Sequence, residues 1–78
     1  MKVETLIITC GKDGYTIMNQ KGEIIKRPSR IRVWYYILNR RAEEDVFFDI
    51  TVKGIEKERK KLIKFLREQG VYKIKEEV

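Results

Sequence analysis

Residues 30–38 read Arg30-Ile31-Arg32-Val33-Trp34-Tyr35-Tyr36-Ile37-Leu38, and the conformation of this stretch decides the fold. Helical spacing aligns Ile31, Trp34, Tyr35 and Leu38, but it turns Val33, Tyr36 and Ile37 outward. No capping box follows Ser29. Six of the eight residues from Ile31 to Leu38 are β-branched or aromatic, the types enriched in strands. The composition therefore favours a strand.

A strand alternates its side chains between two faces. Ile31, Val33, Tyr35 and Ile37 then form an ordinary core face. Arg30, Arg32, Trp34, Tyr36 and Leu38 share the opposite one. That second face combines guanidinium groups with aromatic rings. Charge suits a phosphate backbone and rings suit stacked bases, as on sheet surfaces that bind nucleic acid. A helix would instead turn Trp34 and Tyr35 inward and dissolve this face.

Charge gives the stretch its interest. Residues 1–42 hold nine basic and three acidic residues, whereas residues 43–78 hold nine of each. The whole surplus of +6 thus lies in the first part, and the pI is near 9.6. Lys26, Arg27, Arg30, Arg32, Arg40 and Arg41 fall between residues 26 and 41 with no acid among them. Arginine presents a planar fork that matches phosphate and base edges. The expected nucleic-acid-binding set is these six cations with Trp34 and Tyr36 as stacking rings. RNA or a single strand is favoured over duplex, because no recognition helix is apparent. The competing reading uses the same face for protein contact. Trp, Tyr and Arg are enriched at interfaces, so a homodimer or an accessory or viral protein docking on a larger complex fits the same residues.

Working outward, residues 2–10 form a strand whose continuous Leu6-Ile7-Ile8 run implies a central position buried on both faces. Gly11-Lys12-Asp13-Gly14 is a turn. Residues 15–20 and 23–27 make a hairpin around Lys21-Gly22, and Pro28 ends it. Residues 39–45 read as a polar loop. Residues 46–53 form a strand with Val46, Phe48, Ile50 and Val52 on one face and Phe47, Asp49, Thr51 and Lys53 on the other. From Ile55 to Gln69 an amphipathic helix presents Leu62, Ile63 and Leu66, with Phe65 beside them. Its acids come first and its bases later, in accord with the helix dipole. Gly70 stops it, and residues 71–75 return as a short strand.

The expected class is α+β: one domain spanning residues 1–78, with a small, mostly antiparallel sheet of five to six strands. The sheet lies flat or curls into a partial barrel against one C-terminal amphipathic helix. In element order and basic charge this resembles the SH3-like barrels of small archaeal chromatin proteins. The return strand after the helix departs from that pattern.

Several chemistries find no support. Without histidine there is no Ser–His or Cys–His nucleophile. One cysteine makes no intramolecular disulfide and no ordinary zinc site. The Gly11–Gly14 segment does not fit a phosphate-binding Walker loop. Glu43, Glu44 and Asp45 read as solvated acids rather than cation ligands, and Asp49 as half of a cross-strand ion pair. Cys10 reads as a buried small hydrophobe. The expectation is a non-catalytic protein without cofactor, metal or small-molecule substrate. No apolar run is long enough for a membrane span, and no leader is visible, which points to the cytoplasm. Uncharged polar residues are scarce, with one Ser, two Asn and two Gln. Such a balance resembles proteins from hot environments, although an AT-rich genome produces the same bias.

Overall fold

The computed structural model describes residues 2–78. Three strands come first: β1 (Lys2–Gly11), β2 (Gly14–Met18) and β3 (Ile24–Arg27). Helix α1 (Arg30–Glu44) crosses to β4 (Val46–Gly54), and α2 (Glu56–Glu68) crosses to β5 (Ile74–Glu76). The five strands lie in the order β3-β2-β1-β4-β5. β1 and β2 pair antiparallel, as do β2 and β3. β1 and β4 pair parallel, and so do β4 and β5.

The stretch at residues 30–38 is helical, which corrects the strand expectation. α1 runs from Arg30 to Glu44 and absorbs residues 39–44 of the expected loop, leaving Asp45 as its left-handed cap. Ser29 caps it by accepting from the Arg32 backbone N–H, with no capping box needed. Val33 and Ile37, one turn apart, are fully buried. Trp34 and Tyr36 pack against the core at its margin. Strand propensity lost to two stronger terms. Residues 39–44, Asn-Arg-Arg-Ala-Glu-Glu, are mostly good helix formers. A parallel β1–β4 pair also demands a crossover element, and a helix satisfies its own backbone while making it.

Three consequences revise the expected architecture. The sheet is mixed rather than mostly antiparallel. It carries two helices rather than one. Its order is linear, with β3 and β5 at the edges, so the sheet is open and not a barrel. Both crossovers step the same way across the sheet, from β3 to β4 and from β4 to β5. Crossovers of one hand stepping in one direction place their helices on one face. The core agrees. Leu6, Ile8, Cys10, Tyr15, Ile17, Val46, Phe48, Ile50 and Val52 point from the sheet to Val33, Ile37, Leu62, Ile63 and Leu66 of the helices.

β1 is central, as its apolar run implies, but it is not buried on both faces. Leu6 and Ile8 are in the core, whereas Ile7 is half-buried on the other side. That other side of the sheet bears no helix.

Candidate nucleic-acid interface

The helical conformation scatters the residues expected to form one face. Arg40 is drawn into the fold. Its guanidinium donates to both oxygens of Glu4 at 2.9 and 3.0 Å and to the Tyr36 hydroxyl at 3.2 Å, and it pairs with Glu44 one turn on. It also lies 5.6 Å from the Phe48 ring centre. Burial works against the Arg40 charge, but the hydrogen bonds to Glu44, Tyr36 and Glu4 outweigh it and raise the pKa. The bond from Arg40 holds the Glu44 carboxyl below the usual carboxylate range.

The remaining members diverge. Arg27 lies 5.7 Å from the Tyr36 ring centre, so this ring is flanked by Arg27 and bonded by Arg40 rather than free to stack on a base. Arg41 lies 5.9 Å from the Phe47 ring centre, and its Nε is buried without a hydrogen-bond partner. Trp34 is half-buried against the core. Arg30 and Arg32 are exposed in the first turn of α1. Lys26 stands on edge strand β3 and points away from the helices. The eight residues therefore surround α1 and its neighbours; they do not share a surface.

A different surface does gather uncommitted groups: the face of the sheet that the helices leave bare. The strand register sets its rows. Ile24, Met18, Ile7, Thr51 and Lys75 form one row across all five strands. Lys26, Thr16, Thr9 and Lys53 form the next. Thr5 and Asp49 stand side by side on the other flank, followed by Val3 and Phe47. Lys73, just before β5, reaches Asp49 at 3.2 Å, which supplies the ion pair expected for that acid. All four threonines of the chain lie on this face. Its strand-borne cations are Lys26, Lys53 and Lys75, with Lys73 beside them, and its one strand-borne acid, Asp49, is already paired. Glu77 continues the β5 ladder by donating its backbone N–H to Val52, one residue past the strand.

Half of this face was legible. The β4 alternation already placed Phe47, Asp49, Thr51 and Lys53 together. The β1 contribution of Val3, Thr5, Ile7 and Thr9 was hidden, because Leu6-Ile7-Ile8 reads as a doubly buried run.

A recess of about 530 Å³ lies elsewhere, between the Gly11–Gly14 turn, the start of α1, Glu58 and Phe65. Lys12 and Arg30 face Asp13 and Glu58 there, so it has no net attraction for an anion. Among the described residues no group of three or more carboxylate or thiol side chains is placed to hold a metal ion. No described helix is long and apolar enough to cross a membrane. Comparison with known protein families, curated proteins and solved structures finds no match for this chain.

Proposed function

We propose that this chain is a non-catalytic nucleic-acid-binding module that lays a single strand of RNA or DNA across the bare face of its sheet. The observation that carries the reading is the charge and hydroxyl pattern of that face. Lys26, Lys53 and Lys75 line it, four threonine hydroxyls lie between them, and its acid Asp49 is paired with Lys73. Lysine ammonium groups and hydroxyls contact phosphate without regard to sequence. Phe47, half exposed at the end of the face, has the Arg41 guanidinium 5.9 Å from its ring centre, and the exposed part of the ring is what it offers for stacking. Met18 and Ile7 supply an apolar floor for bases. This moves the expected interface from the 26–41 segment to the sheet and keeps Lys26 as the member common to both.

A protein ligand on the same face is the second reading. Val3 and Ile24 favour it, since both are more than half exposed and neither helps to bind phosphate.

Anisotropy titration with a labelled oligo(U) or oligo(dT) of about twelve nucleotides tests the proposal, because an open sheet engages only a few bases at once. Three lysine contacts on a single strand give a log–log salt slope of about −2. Lys26→Glu with Lys53→Glu and Lys75→Glu is expected to abolish binding. Lys57→Glu with Lys60→Glu and Lys64→Glu, on the outer side of α2, removes the same charge and is expected to weaken it only modestly. Equal loss in both triples reduces the effect to net charge and defeats the assignment. Absence of binding by the wild-type chain at low salt defeats it outright and leaves the protein ligand.

A further inference from the structure

Where β4 meets the approach to β5, the bare face of the sheet holds an open recess of about 540 Å³. Thr5, Asp49, Thr51, Tyr72, Lys73 and Lys75 line it. Strict alternation back from Lys75 and Ile74 would set Tyr72 on the helix side of the sheet. Instead, Ile74 donates its backbone N–H to the Tyr72 carbonyl at 2.9 Å, a three-residue turn centred on Lys73. The turn breaks the alternation, and Tyr72 lines the same recess as Lys73 and Asp49. Its side chain is 75% exposed, more than any other described aromatic residue. A ring so little covered by its own chain leaves its surface open to a base.

The Asp49–Lys73 pair supplies a hydrogen-bonding edge beside that ring. Lys73 Nζ stands 3.2 Å from Asp49 Oδ1, with side chains 76% and 44% exposed. A pair this open adds little to stability. It also leaves both groups with capacity to spare, since a carboxylate has about four lone-pair sites and an ammonium three donors. Together they present two acceptor oxygens next to a donor. The Watson–Crick edge of guanine is the complement of that pattern. Its N1–H and N2 amine donate side by side, and its O6 accepts beside them. The other bases match less well. Uracil and thymine flank one N–H with two carbonyls, so one carbonyl meets a carboxylate oxygen. Adenine and cytosine set a ring nitrogen that accepts next to their amine, so only one donor meets the carboxylate.

We propose that this recess is a guanine subsite of the sheet, in which Asp49 accepts from N1–H and the N2 amine, Lys73 donates to O6, and Tyr72 stacks on the base. Lys75, in register with Thr51, takes the adjacent phosphate. The inference rests on the single-strand reading of the bare face and adds a base preference to it.

Anisotropy of labelled hexanucleotides alternating uridine with guanosine, adenosine, cytidine or inosine tests it, since every register then offers the base in question. The guanosine oligomer is expected to bind about five- to tenfold tighter than the adenosine and cytidine oligomers, the low end for a bidentate base contact. Inosine lacks the N2 amine and should recover less than half of that gain. Asp49→Asn is expected to bring all four oligomers within about twofold of one another. Its binding of oligo(U) should hold or rise, because a negative charge leaves the face. Loss of folding does not move the two readouts in opposite directions. Tyr72→Ala should weaken the guanosine oligomer about fivefold or more and leave the melting temperature unchanged. Free 5′-GMP lacks the neighbouring phosphates, so it should displace the oligomer only at concentrations far above the oligomer's own Kd. Displacement at that Kd overturns the placement of the base within a strand. Oligo(U) binding with no gain from guanosine, or the full preference kept by Asp49→Asn, overturns the inference and leaves the reading of the sheet in place. Binding of no oligonucleotide defeats both.

Discussion

Arg40 on α1 and Glu4 on β1 are joined by two hydrogen bonds, at 2.9 and 3.0 Å, between residues 36 positions apart. The side chains are 18% and 12% exposed. This pair clamps the C-terminal half of the crossover helix to the central strand. Tyr36 and Glu44 complete the set of acceptors around the same guanidinium.

Removing one partner should therefore harm the fold more than removing both. Arg40→Met leaves the Glu4 carboxylate poorly solvated and is expected to destabilise by about 2–4 kcal/mol. Adding Glu4→Met should recover at least half of that loss, since no charge then remains to be desolvated. Urea unfolding of both variants measures the difference. The comparison requires an unchanged slope, so that the midpoint shift reports stability alone.

Ser29 tests the start of α1. Its hydroxyl accepts from the Arg32 N–H at 3.4 Å, a long bond. Ser29→Ala should then cost roughly 0.5–1 kcal/mol, the lower part of the range for N-caps. Ser29→Asp should stabilise instead. It retains the cap and adds negative charge to a first turn that has only arginines. Thermal melts of the two variants should move in opposite directions.

These residues also explain how much was legible. β1, β2, β3, β4, α2 and the return to β5 follow from apolar alternation, glycine turns and one helical stripe, because each is a local pattern. α1 was not legible in a window of nine residues. Ile31, Val33, Trp34, Tyr35, Tyr36 and Ile37 favour a strand, and what reverses them lies outside the window: the Ser29 cap, the helix-forming run after Leu38, and the parallel pairing of β1 with β4. Read as one segment from Ser29 to Asp45, the cap, the Val33–Ile37 pair and the Arg40–Glu44 pair agree on a helix. The charge was legible; its placement was not. Arg40 and Arg41 look free in sequence and are committed in three dimensions, whereas Lys53, Lys73 and Lys75 sit in the charge-balanced part of the chain and meet Lys26 only through the sheet.

Gly54 supplies a steric prediction. It ends β4 at φ +106° beside Cys10 of β1, and a Cβ there would meet the Cys10 backbone nitrogen at 2.7 Å. Gly54→Ala combines backbone strain with a clash against a central strand, for a loss of roughly 3 kcal/mol or more. Gly22, at φ +84°, has open space around it. Gly22→Ala carries the strain alone and should cost about 1 kcal/mol. A larger loss at position 54 than at 22 in denaturant melts separates the steric contribution from the conformational one.

Cys10 ties stability to alkaline pH. The side chain is 1% exposed at the end of β1. Burial pushes its pKa up to about 11 from an ordinary 9.0; Glu58 adds to the rise and Arg59 partly opposes it. The native state thus binds the thiol proton more tightly than the unfolded chain does. That contribution is fully present below pH 9 and is lost as pH rises from 9 through about 11. Its full size is on the order of 2 kcal/mol. Other groups titrate in the same range, so the informative quantity is the difference between wild type and Cys10→Ala. The variant is expected to be less stable at pH 7.5, through lost packing, and the gap should narrow steadily above pH 9. A gap that stays constant to pH 11 would show that the thiol ionises no harder in the fold than outside it. Labelling by a thiol reagent at pH 8 should agree. It should be slow in buffer and fast in denaturant, because the reactive thiolate forms only when β1 leaves the sheet.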